Sequence, residues 1–372
     1  MTIYLDHNST TDVHLKVKEN IGCALDKPLN PSSIHKYGRS GKSMVEHARS
    51  ALAKLLGFNK STKNYNIVFT SSGTEANNMV INNFIEHEIY VSAIEHHSVY
   101  DFSKKYSNVK LINVDENGII NFDHLEFLLS NSSSRKKLVS VMLANNETGI
   151  IQPIKQISDI CHKYQASIHT DAVQAIGKIP VNILDLDVDF LTISAHKFGG
   201  IVGSGALIYK SSFDMRPLII GGGQEKNLRS GTENLMGIVA LGVASDLTLA
   251  ELKKRENHLI SLRSFLENQL ITNFDDIHIV GKNKPRLPNT CLFINKKLPA
   301  QLQIIALDMN DICVSSGSAC SSGKVGESHV LSAMKYKKED LNYAIRISLG
   351  MSNSKQDVEK FLEIYKKINK ES

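Results

Sequence analysis

Short apolar, β-branched runs recur through the first part of the chain, separated by polar stretches. They are "IVFTS" (67–71), "IYVSA" (89–93), "VKLINV" (109–114), "LVSVMLA" (138–144), "SIHTDA" (167–172), "FLTIS" (190–194) and "GALIYK" (205–210). Between several of them the apolar period lengthens toward 3.6. In "IKQISDICHKYQ", Ile154, Ile157, Ile160, Cys161 and Tyr164 fall on one face, which predicts an amphipathic helix. Strands alternating with helices predict an α/β fold with a seven-stranded, mostly parallel sheet covered on both faces. The 205–210 run follows the 190–194 run through a glycine turn too short for a crossover helix. One antiparallel strand is therefore expected there.

From about Glu233 to Ile271 the pattern is helical with few breakers, long enough to bridge two domains. Beyond it lie new strand signals at 277–281, 289–295 and 343–349, with helical stretches at 299–309 and 354–369. This predicts a smaller α+β C-terminal domain. The expected division is a large domain at 1–255 and a small one at 256–372, with the N-terminal segment 1–15 packed near the small domain. At 372 residues the chain is longer than one hydrophobic core usually supports, roughly 250–300 residues, which agrees with two domains.

Composition narrows the class. Hydrophobic content of 42% and charged content of 22% are those of an ordinary globular protein. The net charge of +5 is mild, and the lysines are scattered rather than gathered on one element, which argues against a nucleic-acid surface. The five cysteines are odd in number and include no C-x-x-C pair. No leader precedes "MTIYLDHNSTT" and no unbroken apolar run approaches ~18 residues. A soluble protein of the reducing cytoplasm is expected, without structural disulfides, a membrane partner or a metal cage.

Three motifs carry chemistry. In "FTSSGTEANNMVI" a strand ends, small residues turn, and a helix begins near Glu75. The amides of Gly73 and Thr74, the Thr74 hydroxyl and the positive helix end suit an anion such as phosphate. An ordinary strand–helix loop with an N-cap reads almost the same. In "SIHTDAVQAIGK", Asp171 ends a strand expected in the middle of the sheet, and Gln174 follows one turn on. A half-dry carboxylate there wants a cationic partner, and a protonated ring nitrogen would serve; an N-cap aspartate is the plainer reading. In "TISAHKFGG", Lys197 stands at the lip of a strand where ligands of open α/β sheets gather, although a loop lysine is common enough. Together, a phosphate cradle, a carboxylate for a pyridinium and a strand-end lysine are what pyridoxal 5'-phosphate requires.

With these residues on the page, the sequence resembles a group I cysteine desulfurase, of the class V aminotransferase group within the fold-type I pyridoxal phosphate enzymes. The resemblance runs from "YLDHNSTT" to "IRISLG" at 345–350. It implies that Lys197 forms the Schiff base, Asp171 pairs with the pyridinium, Gln174 bonds the phenolic oxygen, and His96 stacks on the ring and handles protons. It implies that Gly73, Thr74, Ser194 and His196 bind phosphate. Thr232, in "GGGQEKNLRSGTEN", would be lent by a partner subunit, hence a homodimer. Asn146 and Arg346 would bind the substrate carboxylate. Adjacent His96 and His97 are a poor metal pair, since neighbours rarely face one ion.

The motif "VSSGSACSSGKVGESHVL" (314–331) places Cys320 among small polar residues, the composition of a loop rather than a core. By resemblance Cys320 carries the persulfide. Cys23, Cys161, Cys291 and Cys313 read as packing residues. The implied activity takes sulfur from L-cysteine, leaves L-alanine and passes the sulfur to an acceptor for iron–sulfur assembly or tRNA thiolation. A class V aminotransferase or a selenocysteine lyase is the alternative. Departures from the family pattern are His7, Ser9 and Glu327, and an end at Ser372 closer to the shorter, nitrogen-fixation-type members.

Overall fold

The computed structural model describes residues 2–59, 64–317 and 327–370. Cys320 lies outside the described residues. In chain order the strands are β1 (Ile3–Tyr4), β2 (Tyr65–Thr70), β3 (Glu88–Ser92), β4 (Val109–Ile112), β5 (Lys137–Ser140), β6 (Ser167–Asp171), β7 (Phe190–Ser194), β8 (Gly205–Lys210), β9 (His278–Ile279), β10 (Thr290–Ile294), β11 (Ile312–Cys313), β12 (Ser315–Ser316) and β13 (Ala344–Ser348). Helices α1 (Leu15–Leu25), α2 (Lys36–Leu55) and α3 (Gly73–Asn83) precede or flank the first of the sheet strands.

Strands β2 to β8 form one seven-stranded sheet in the order β2-β8-β7-β6-β5-β3-β4. Pairing is parallel from β7 through β4, while β8 runs antiparallel to both neighbours, as the short glycine turn before it requires. Every residue of β7 is buried, Thr192 and Ser194 included, because helices cover both faces of the sheet. One face packs on α3 through Ala76, Met79 and Val80. The other packs on α2 and on the long helix Leu235–Asn273, through Val45, Leu52, Leu241 and Ala244. Several elements are shorter than the sequence suggests. The 138–144 run is extended only as far as Ser140, because the chain then turns to build the site.

The long helix serves two cores. Leu235 to Leu247 pack in the sheet's core, and Leu259 to Leu270 pack in a second core with Phe293, Ile345 and Phe361. An 18-residue window of this helix has a mean hydropathy of 1.7, enough in length and composition to cross a bilayer. Of that window 56% is buried inside the protein, as in a core helix. The second core lies under a four-stranded antiparallel sheet in the order β12-β13-β10-β9. The N-terminus joins this region: β1 pairs with β11, Asp6 bridges to Ser348, and Leu5 is buried in the second core. Cys161 and Cys291 are buried packing residues and Cys313 is half-buried, but Cys23 is exposed on α1, so packing does not account for it.

Candidate active site

All the parallel strands, and β2 with them, point their C-terminal ends at one edge, and the turns there carry the predicted residues. A cavity of about 240 Å³ opens at this edge. Gly73, Thr74, His96, Asn146, Asp171, Gln174, Ser194, His196, Lys197 and Arg346 all line it. They come from five strand ends of the large sheet and from β13, which no local feature of the sequence brings together.

The anion end is built by β2 and α3. Ser72 is extended and caps the helix, its Oγ accepting from the Glu75 amide at 3.1 Å. The amides of Gly73 and Thr74 have no acceptor among the described residues, as expected for the first turn of a helix. Residue 73 has to be glycine: a Cβ there would sit 2.9 Å from Val173 Cγ2 in the cavity wall. The helix therefore starts at Gly73, two residues earlier than its sequence suggested. Glu75 turns back instead, bonded by Ser71 and by Arg229 at 2.9 Å, and these donors hold its acid below the usual range against the opposing effect of burial.

At the other end, Asp171 Oδ1 accepts from the Val173 amide at 2.9 Å and Oδ2 from Asn77 Nδ2 at 2.7 Å. Asn77 also donates to Ser98 Oγ at 2.9 Å. His96 caps a short helix, its Nδ1 accepting from the Ser98 amide at 3.1 Å. Burial lowers its basicity, with Lys197 adding to that effect and Asp171 opposing it, so it is a neutral base or acceptor at physiological pH. His196 is pushed down to about 4 by burial and by Lys197, and its Nδ1 lies 3.2 Å from Thr10 Oγ1.

Lys197 donates to the carbonyls of Asn8 and Ser9, each at 2.6 Å. Arg346 is 1% exposed; it donates to Asp6 Oδ1 at 2.6 Å and to the Asn146 carbonyl at 3.0 Å. Its Nε is buried without a partner among the described residues. Thr232 does not line the cavity; it is exposed on the turn before the long helix.

Asn8 is one residue the motif reading missed. It is 1% exposed and tied on every side. Its carbonyl accepts from Gln174 as well as Lys197, its Oδ1 from Lys178 and Asn289, and its Nδ2 donates to Thr290 Oγ1 and the Asn146 carbonyl. Nothing local in "LDHNSTT" signals this. Asn77 was missed too, although a signal existed: it lies four residues after Gly73 on the same helical face.

The residues fit pyridoxal phosphate on three observations: two unpaired helix amides at one end, a buried carboxylate held by neutral donors at the other, and a lysine between strand ends. A parallel α/β sheet with this set defines a fold-type I pyridoxal-phosphate-dependent enzyme. The chain belongs to the aminotransferase class-V family, whose model matches residues 3–361. A cysteine desulfurase IscS of Dictyoglomus turgidum is 38% identical, over 98% of this chain and 94% of its own. A NifS-like protein of Rickettsia africae, solved by X-ray crystallography, is 44% identical with a TM-score of 0.95 and full coverage of both chains. SspA in complex with cysteine is 26% identical, with a TM-score of 0.78 over 94% of this chain and 99% of that one.

Proposed function

We propose that the protein is a cysteine desulfurase that takes sulfur from L-cysteine, leaves L-alanine and holds the sulfur as a persulfide on Cys320. The observation that carries the reading is the single cavity in which Lys197, Asp171, His96 and the Gly73–Thr74 amides meet a buried arginine. The full-length likeness to cysteine desulfurases supports the substrate.

Each residue has a role that its chemistry suits. Gly73, Thr74, Ser194 and His196 hold the phosphate, with Thr232 of a second subunit completing it in a homodimer. Asp171 keeps the ring nitrogen charged, and Gln174 donates to the ring's oxygen. Pyridoxal phosphate supplies an electron sink that acidifies the α-hydrogen of a bound amino acid. Arg346 and Asn146 grip the substrate carboxylate, for which a guanidinium fork is suited. Lys197 takes the α-proton and returns a proton to the product. The Cys320 thiolate attacks the substrate sulfur: an S–S bond forms, the C–S bond breaks, and its electron pair is protonated to give alanine. The persulfide then passes to an acceptor protein of the cytoplasm, an iron–sulfur scaffold or a tRNA-thiolation relay.

An intact-protein mass spectrum after incubation with L-cysteine, without reductant, tests this. Wild type should gain sulfur and Cys320→Ser should not, while both keep the cofactor's colour. No added sulfur on a coloured wild type would point instead to aminotransferase chemistry.

A further inference from the structure

Lys178 is a second lysine at this site. It lies four residues after Gln174, is 5% exposed, and does not line the cavity. Its amine donates to Gln174 Oε1 at 2.7 Å and to Asn8 Oδ1 at 2.8 Å. No carboxylate lies within ion-pair distance of it among the described residues. A buried lysine serving two neutral amides is costly, so its retention calls for a reason.

The bonding pattern supplies one. A side-chain amide has an accepting oxygen and a donating nitrogen, and which faces which way depends on its neighbours. Gln174 touches the Lys178 amine on one side and the Asn8 carbonyl on the other. A carbonyl only accepts, so the amide nitrogen must face Asn8 and the oxygen must face Lys178. Nε2 then has one hydrogen on Asn8 at 3.0 Å and a second with no acceptor among the described residues, on a residue that lines the cavity. Burial and the nearby cations Lys197 and Arg346 drive the amine well below its ordinary basicity. A neutral amine keeps two N–H groups, enough for the two acceptors present.

We infer that Lys178 is a positioning residue: with the Asn8 carbonyl it anchors both ends of the Gln174 amide, so that an N–H is offered to the cofactor's ring oxygen. The inference rests on the cofactor reading and not on the identity of the substrate. An N–H to that oxygen favours its deprotonated form, so losing the donor raises the pH at which the bound cofactor's visible band titrates. The other charged or titratable groups lining the cavity are His96, Asp171, His196, Lys197 and Arg346, and none of them is altered in the test.

The test is a pH titration of the visible band of the cofactor-loaded protein, in wild type, Lys178→Met, Gln174→Met and the double variant. Each single change should raise the midpoint by about one unit. The double variant should move no further than Gln174→Met alone, because both act through one amide. Lys178→Gln, which keeps a donor, should recover much of the shift. Thermal melts establish that each variant is folded. An unmoved midpoint in Lys178→Met overturns the inference. So does full additivity, which would mean that the amine acts by a route other than the Gln174 amide. A wild type with no titratable band overturns the cofactor reading and the inference together.

Discussion

Asp6 Oδ1 accepts a hydrogen bond from Arg346 Nη2 at 2.6 Å, across 340 residues of sequence. The arginine side chain is 2% exposed and the aspartate 17%, so this is a largely buried ion pair between the N-terminal segment and β13. Breaking such a pair from one side leaves an uncompensated charge, at about 3–5 kcal/mol. Asp6→Asn should therefore lower unfolding stability by about 3 kcal/mol in a urea titration. Arg346→Lys, which keeps the charge and loses the fork, should raise KM for cysteine about tenfold or more. An unchanged KM would remove Arg346 from carboxylate binding.

Asp171→Asn should still fold, since asparagine's oxygen can keep the bond to the Val173 amide, while its nitrogen, facing the Asn77 amide nitrogen, loses the second bond. It removes the negative charge that keeps a ring nitrogen protonated, which is worth about 1–3 units of that nitrogen's basicity. Turnover should fall on the order of a hundredfold, measured as alanine released. Asn77→Ala should give a smaller loss, because the carboxylate remains and only its 2.7 Å donor goes.

Glu147 is 3% exposed, and burial raises its acid to about 7, partly offset by a 2.6 Å bond from Ser328 and by Arg346. Its ordinary value is 4.5. Between those values the folded state holds a proton that the unfolded state has released, so stability falls as pH rises through that window. The loss from this group alone is about 3 kcal/mol. Glu147→Gln cannot ionise. Its melting temperature relative to wild type should rise steadily from pH 5 to pH 8; a constant difference would falsify the assignment.

Gly242 on the long helix faces Ala48 on α2, and a Cβ there would lie 2.7 Å from the Ala48 Cα. Backbone cannot move aside as a side chain can. Gly242→Ala should destabilise by about 1–3 kcal/mol despite alanine's better helix propensity. Chemical denaturation would read this directly, and a stabilised variant would show that the helices separate freely.

Sheet, helices and long motifs were legible because each follows from local rules. Short apolar, β-branched runs gave the strands, period-3.6 patterns gave the helices, and the short glycine turn gave the antiparallel β8. Lys197, Asp171 and the Gly73–Thr74 turn were legible because residue type and position at a strand end already limit their chemistry. Asn8, Lys178 and the Asp6–Arg346 pair were not. Apart from Gln174, four residues before Lys178, their partners lie 138 to 340 residues away. Burial likewise set the acidity of Glu147 and the basicity of His196, since only the folded chain removes water from them. The sequence alone determined which groups are available and on which elements they ride. Tertiary structure decided which of them meet, because contacts across hundreds of residues and the desolvation they bring exist only once both cores have formed.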